Sequence, residues 1–87
     1  MALGRQIQDG EAAEAYRAEV RGFLSSHWPP PSDLRGADLK AFVRAFRALA
    51  IGQGYLYRAI PKRFGGSEQP VDVIRAQVIR EEFARVR

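Results

Sequence analysis

The sequence predicts an all-α fold of three helices with a long loop between the second and third. Apolar residues recur at three- and four-residue steps in three separate stretches, which is the period of a helix face. No stretch alternates apolar and polar residues long enough to compete as a strand. Clusters of proline and glycine separate the three periodic stretches and mark where each helix must stop. The chain has 87 residues, 46% of them apolar, a composition that favours one modest globular domain over a disordered segment. A domain of this size buries only about 60–65% of the surface that its unfolded chain exposes.

The first helix is expected over residues 9 to 28, after a flexible N-terminus at residues 1 to 8. Asp9 is placed to cap it, and Glu11 and Glu14 put negative charge where the helix dipole favours it. Ala13, Tyr16, Val20, Phe23, Leu24 and Trp28 form its apolar stripe, and Pro29, Pro30 and Pro31 end it. The second helix is expected over residues 39 to 51, capped by Asp38. Leu39, Phe42, Val43, Phe46, Leu49 and Ala50 supply its core face, and Gly52 and Gly54 terminate it. Lys40, Arg44 and Arg47 cluster within roughly 60° on another face at about 100° per residue.

Residues 55 to 69 read as loop, and Pro70 suits the first position of a third helix running to residue 87. The apolar set of that helix is Val71, Ile74, Val78, Ile79, Phe83 and Val86. It covers about half the helical circumference, wider than the stripe a surface helix needs. Such a helix is expected to pack against more than two others, leaving the isolated chain marginal or self-associating.

Composition excludes several chemistries. There is no cysteine, so disulfides and thiolate metal sites are impossible, and His27 is the only histidine. No catalytic, cofactor-binding or metal-ligating residue is identified. The N-terminus lacks the basic and apolar regions of a signal peptide, and no apolar run approaches the ~20 residues of a membrane span. A soluble, cytoplasmic protein without membrane contact is the expectation.

Each residue pattern with a chemical reading also has a plainer one. Gly52-Gln53-Gly54 begins like a dinucleotide fingerprint, but Tyr57 stands where its last glycine belongs and no strand precedes it. Lys62, Arg63, Gly65 and Gly66 before a helix suggest an anion cradle. The absence of a following lysine–serine pair favours a tight turn instead. His27 near a helix end reads as a partly buried side chain facing the helix dipole rather than a general base. Glu81 and Glu82 point about 100° apart and are not expected to share a substrate, while Glu81 and Arg85 have the spacing of a surface ion pair. The net charge of +4 raises nucleic acid as a partner, with Lys40, Arg44 and Arg47 as its contact face. The neighbouring alanines and core residues offer nothing to read bases, so a solvated face is preferred.

Three segments, in order, resemble the N-terminal helical region of the FAD-dependent acyl-CoA dehydrogenases. "AYRAEVRGFLSSHWPP" is similar to that family's first helix. "FVRAFRALAIGQGYLYRAIPKRFGG" resembles its second helix and following loop, with Pro61, Lys62, Phe64, Gly65 and Gly66 matching the signature P-K-x-aromatic-G-G. "VDVIRAQVIREEFARVR" is similar to its third helix, including the E-E-aromatic-A run. Arg63 departs from the pattern, since the family often has an acidic residue there.

The resemblance covers residues 12 to 87 and implies an incomplete helical domain over residues 9 to 87. It implies a parent enzyme that oxidises an acyl-CoA across its α,β carbons and passes the electrons to FAD. The parent's flavin site, catalytic base and most of its acyl pocket would lie beyond residue 87, so the segment itself would be structural and inactive. The implied partners are the remaining domains, the acyl-CoA substrate and further copies of the chain. Two alternatives stay open: a small basic helical module binding nucleic acid or protein, and a flavin oxidase or monooxygenase relative.

Overall fold

A computed structural model describes the backbone of residues 2 to 86, with side chains from Gly10 to Val86. Its elements are α1 (Ala2–His27), α2 (Gly36–Gly52), a 3-10 turn (Lys62–Phe64) and α3 (Val73–Arg85). The fold is all-α, with the expected loop between the second and third helices. The chain divides into two compact units. One holds residues 1 to 26 with 72 to 87, and the other holds residues 27 to 71.

In the first unit the buried apolar side chains are Tyr16, Val20 and Leu24 from α1 with Val78 and Ile79 from α3. Tyr16, Val20 and Leu24 of the expected α1 stripe are therefore core, whereas Ala13 and Phe23 are half-buried and Trp28 lies beyond the helix. Each fully buried aliphatic contributes about 1.5–3 kcal/mol of transfer free energy. Both helix starts in this unit differ from expectation. Helix α1 begins at Ala2 and so contains Asp9 rather than starting at it. Leu3, Arg5, Gln6 and Gln8 are good helix formers and carry the helix upstream.

Helix α3 begins at Val73 rather than Pro70, because Asp72 is the stronger start signal. Its carboxylate accepts a hydrogen bond of 2.9 Å from the Arg75 N–H, satisfying one of the free donors at the helix start. The broad apolar set divides accordingly. Val78 and Ile79 are buried, whereas Val71 (93% exposed), Val73 and Ile74 face solvent.

In the second unit Trp28 packs on α2, with ring centroids 4.8 Å from Phe46 and 6.2 Å from Phe42. Ala50 and Tyr55 complete the buried apolar set. The Trp28–Pro29 peptide bond is cis. Asp38 does not cap α2. The helix starts at Gly36, whose φ of +55° only glycine adopts easily, and Asp38 lies in the first turn.

At the other end Gly54 takes φ +84°. Its N–H donates to the Ile51 carbonyl at 3.0 Å and the Tyr55 N–H to the Ala50 carbonyl at 2.9 Å. That pair of bonds is the Schellman termination, so Gly54 is the terminating glycine and Gly52 the last helical residue.

Candidate functional site

Two arrangements, one in each unit, hold the acidic pair Glu81 and Glu82 and the loop residues 61 to 66 that sequence reasoning singled out. In the first unit the centre is Glu82, 1% exposed and the largest fully buried side chain described. Arg21 grips it as a fork, Nε to Oε1 at 2.8 Å and Nη2 to Oε2 at 3.0 Å. Arg17 Nη1 donates to Oε2 at 2.8 Å, and Arg85 Nη1 donates to Oε1 at 3.0 Å. Each carboxylate oxygen thus accepts two charge-assisted hydrogen bonds, which fills its lone-pair capacity.

The same guanidinium of Arg17 reaches Glu81, Nη2 to Oε1 at 2.7 Å, and Gln77 donates to the other Glu81 oxygen at 3.1 Å. Adjacent carboxylates that point apart do share a ligand here, because the two ends of one guanidinium span them. Arg85 pairs with Glu82 at i, i+3 rather than with Glu81, correcting the expected surface pair.

This network sets the charge state. The Arg21 fork, backed by Arg17 and Arg85, lowers the Glu82 pKa from 4.5 to about 2, although burial opposes the ionised form. Glu81 is also held below its ordinary range, by Arg17 first and Gln77 second. Reciprocally, Glu81 and then Glu82 raise the Arg17 pKa, and Glu82 raises that of Arg21. A carboxylate with filled lone pairs and so low a pKa is a permanent anion, not a proton shuttle.

Sequence reasoning missed this centre. The available signal was Arg17 and Arg21, four residues apart, flanking the buried positions Tyr16 and Val20 on α1. Cations set beside a core stripe call for buried counter-charges.

In the same unit Ala12, Ala13, Tyr16, Asp72, Ile74 and Arg75 line a half-open cleft of about 240 Å³. Its charged groups are already engaged. Asp72 caps α3, and the Arg75 guanidinium lies 4.6 Å from the Tyr16 ring centroid.

The second unit holds the loop with Pro61, Lys62, Phe64, Gly65 and Gly66. The Phe64 N–H donates to Pro61 O at 3.0 Å, Gly65 to Lys62 O at 2.9 Å and Gly66 to Pro61 O at 3.1 Å. Further on, Ser67 donates to Tyr57 O, Glu68 to Ile60 O and Gln69 to Arg58 O. The Lys62 N–H is taken by the Glu68 carboxylate at 3.1 Å. A phosphate cradle needs several free N–H groups pointing at one spot, and those of Lys62, Phe64, Gly65, Gly66, Ser67, Glu68 and Gln69 are spent within the loop.

The two glycines serve different needs. Gly65 takes φ +88°, while a Cβ on Gly66 would stand 2.1 Å from the Ile60 carbonyl oxygen. Beneath them Ser67 is buried, its hydroxyl held between the Ile51 carbonyl at 2.9 Å and that of Leu56. Phe64 is 70% exposed, with the Arg63 guanidinium 4.9 Å from its ring centroid.

Lys40, Arg44 and Arg47 are exposed on α2. His27 is the last residue of α1 and is exposed, not partly buried as expected. Among the described residues no cluster of histidine, aspartate and glutamate could hold a metal ion, and no helix is long and apolar enough to cross a membrane. Comparison with protein-family models, curated proteins and solved structures finds no match to this chain.

Proposed function

We propose that the chain is the structural N-terminal helical segment of a flavin-dependent acyl-CoA dehydrogenase. The observation that carries this reading is the joint occurrence of P-K-x-F-G-G at residues 61 to 66 and E-E-F-A at residues 81 to 84. Both motifs consist largely of residues with an architectural task. Gly65 and Gly66 meet a backbone and a steric demand, and Glu82 anchors three arginines. Such residues suit a scaffold and leave the chemistry to other parts of the parent enzyme.

That chemistry would need FAD, an acyl-CoA, a carboxylate base and a stabilised thioester oxyanion. This segment would supply none of them. It would wall the active-site region and pack on the remaining domains, and the exposed Val73 and Ile74 offer apolar surface for that contact. A cytoplasmic, homo-oligomeric parent accords with this role.

The test is to read the frame beyond Arg87 and purify its full product. A yellow protein of several hundred residues, bleached by acyl-CoA under anaerobic conditions, is the expected result. A frame ending at Arg87, or a colourless product inert towards acyl-CoA, would contradict it.

A further inference from the structure

The division of the chain into two units redistributes its charge. Residues 1 to 26 with 72 to 87 carry seven basic and seven acidic side chains, whereas residues 27 to 71 carry seven basic and three acidic. The whole excess of +4 therefore resides in the second unit. Several of that unit's cations are already engaged. Arg35 bonds the Ser32 and Leu34 carbonyls, Arg58 bonds the Gly54 carbonyl, and Arg63 lies over Phe64. Lys40, Arg44 and Arg47 are exposed and have no carboxylate, carbonyl or ring partner among the described residues.

Their setting narrows the partner. At about 100° per residue the three cations occupy one arc of α2 over roughly 10 Å of helix. On one side of them the adjoining arc holds only Ala37, Ala41, Ala45, Ala48 and Gly52, all exposed. Asp38, the one acidic residue in α2, falls about 160° from Lys40. A cationic row with a low alanine shoulder lets a rod-like polyanion approach the helix closely. A membrane surface would instead require large apolar side chains beside the cations. On α2 the large apolar residues nearest the cations, Val43 and Ile51, are half-buried, and Phe42 and Phe46 are turned to Trp28.

We infer that this face of α2 binds the phosphate backbone of nucleic acid, using Lys40, Arg44 and Arg47 as point charges. With no polar side chain among them to address base edges, binding is sequence-independent and salt-controlled. This inference stands apart from the flavoenzyme reading and survives if that reading fails.

The test is fluorescence anisotropy of a labelled random-sequence DNA duplex with the full chain across a salt series. Three neutralised phosphates give a slope of log K against log salt near about −2.7. The triple variant Lys40→Gln, Arg44→Gln, Arg47→Gln is expected to bind at least about tenfold more weakly at low salt and to lose most of that slope. Its circular dichroism should match the unsubstituted chain. The variant Arg44→Lys, Arg47→Lys should retain binding, since point charge is what the backbone reads. The inference is overturned by an unsubstituted chain that does not bind, or by a folded triple variant that binds equally well. It is also overturned if Lys62→Gln, Arg63→Gln weakens binding as much as the triple, or if anionic phospholipid vesicles bind as tightly as the duplex.

Discussion

Arg17 and Glu82, 65 residues apart in the chain, are joined by a hydrogen bond of 2.8 Å in which the carboxylate is buried and the guanidinium is partly exposed. This bond ties α1 to α3 within one unit, and the Arg21 fork repeats the tie one turn further along α1. Breaking a buried pair costs more than the pair contributes, because the surviving charge is left without its partner.

Replacing Glu82 by Gln keeps the shape but removes the charge that three arginines share. The guanidinium partners are partly exposed, so solvent screens part of the effect. The expected loss is about 2–3 kcal/mol, measured by urea denaturation. Glu81→Gln, which loses only exposed contacts, should lower the midpoint far less.

Acid should act through the same residue. The folded-state pKa of Glu82 is depressed to about 2 from 4.5, so its stabilisation is complete above about pH 4.5 and disappears as pH falls towards 2. The midpoint of thermal unfolding should drop across that window. In Glu82→Gln the drop should be shallower, and equal slopes in the two proteins would contradict the assignment.

The loop glycines should be intolerant for separate reasons. Gly66→Ala places a methyl group against backbone and is expected to cost roughly 1–3 kcal/mol or more. Gly65→Ala strains a left-handed residue by about 1–2 kcal/mol. Gly22 in α1 is the control. Nothing lies within 4 Å of a Cβ there, so Gly22→Ala should stabilise by about 0.5–1 kcal/mol. Denaturant titration of the three variants separates the cases.

Asp72→Ala removes the α3 cap and should cost about 1 kcal/mol, with Asp72→Asn recovering most of it. If Pro70 began the helix instead, neither substitution would change the denaturation midpoint.

Local rules made the helices legible. The period of Tyr16, Val20 and Leu24 marked the buried side of α1, and Gly54 marked the end of α2. Helix starts were less legible, since several residues compete to be the cap. Asp72 prevails over Pro70 because a carboxylate satisfies a donor that proline leaves open, and Gly36 carries α2 upstream of Asp38 through a φ that aspartate rarely adopts. The ion cluster was harder to read because Arg17 and Arg21 lie more than 60 residues from Glu82, and spacing along one helix suggested Glu81 with Arg85. Similarly, PKRFGG carries the composition of an anion loop, and only the hydrogen bonds reveal that the N–H groups of Lys62, Phe64, Gly65 and Gly66 are already used.

Glu82, within the run E-E-F-A, is a fixed structural anion and not an acid or base. Its carboxyl carbon can be followed by NMR through an acid titration of the folded chain. A midpoint near pH 2, moving towards the ordinary glutamate range in Arg21→Gln, is the predicted result. A midpoint near 4.5 in the unsubstituted protein would contradict it.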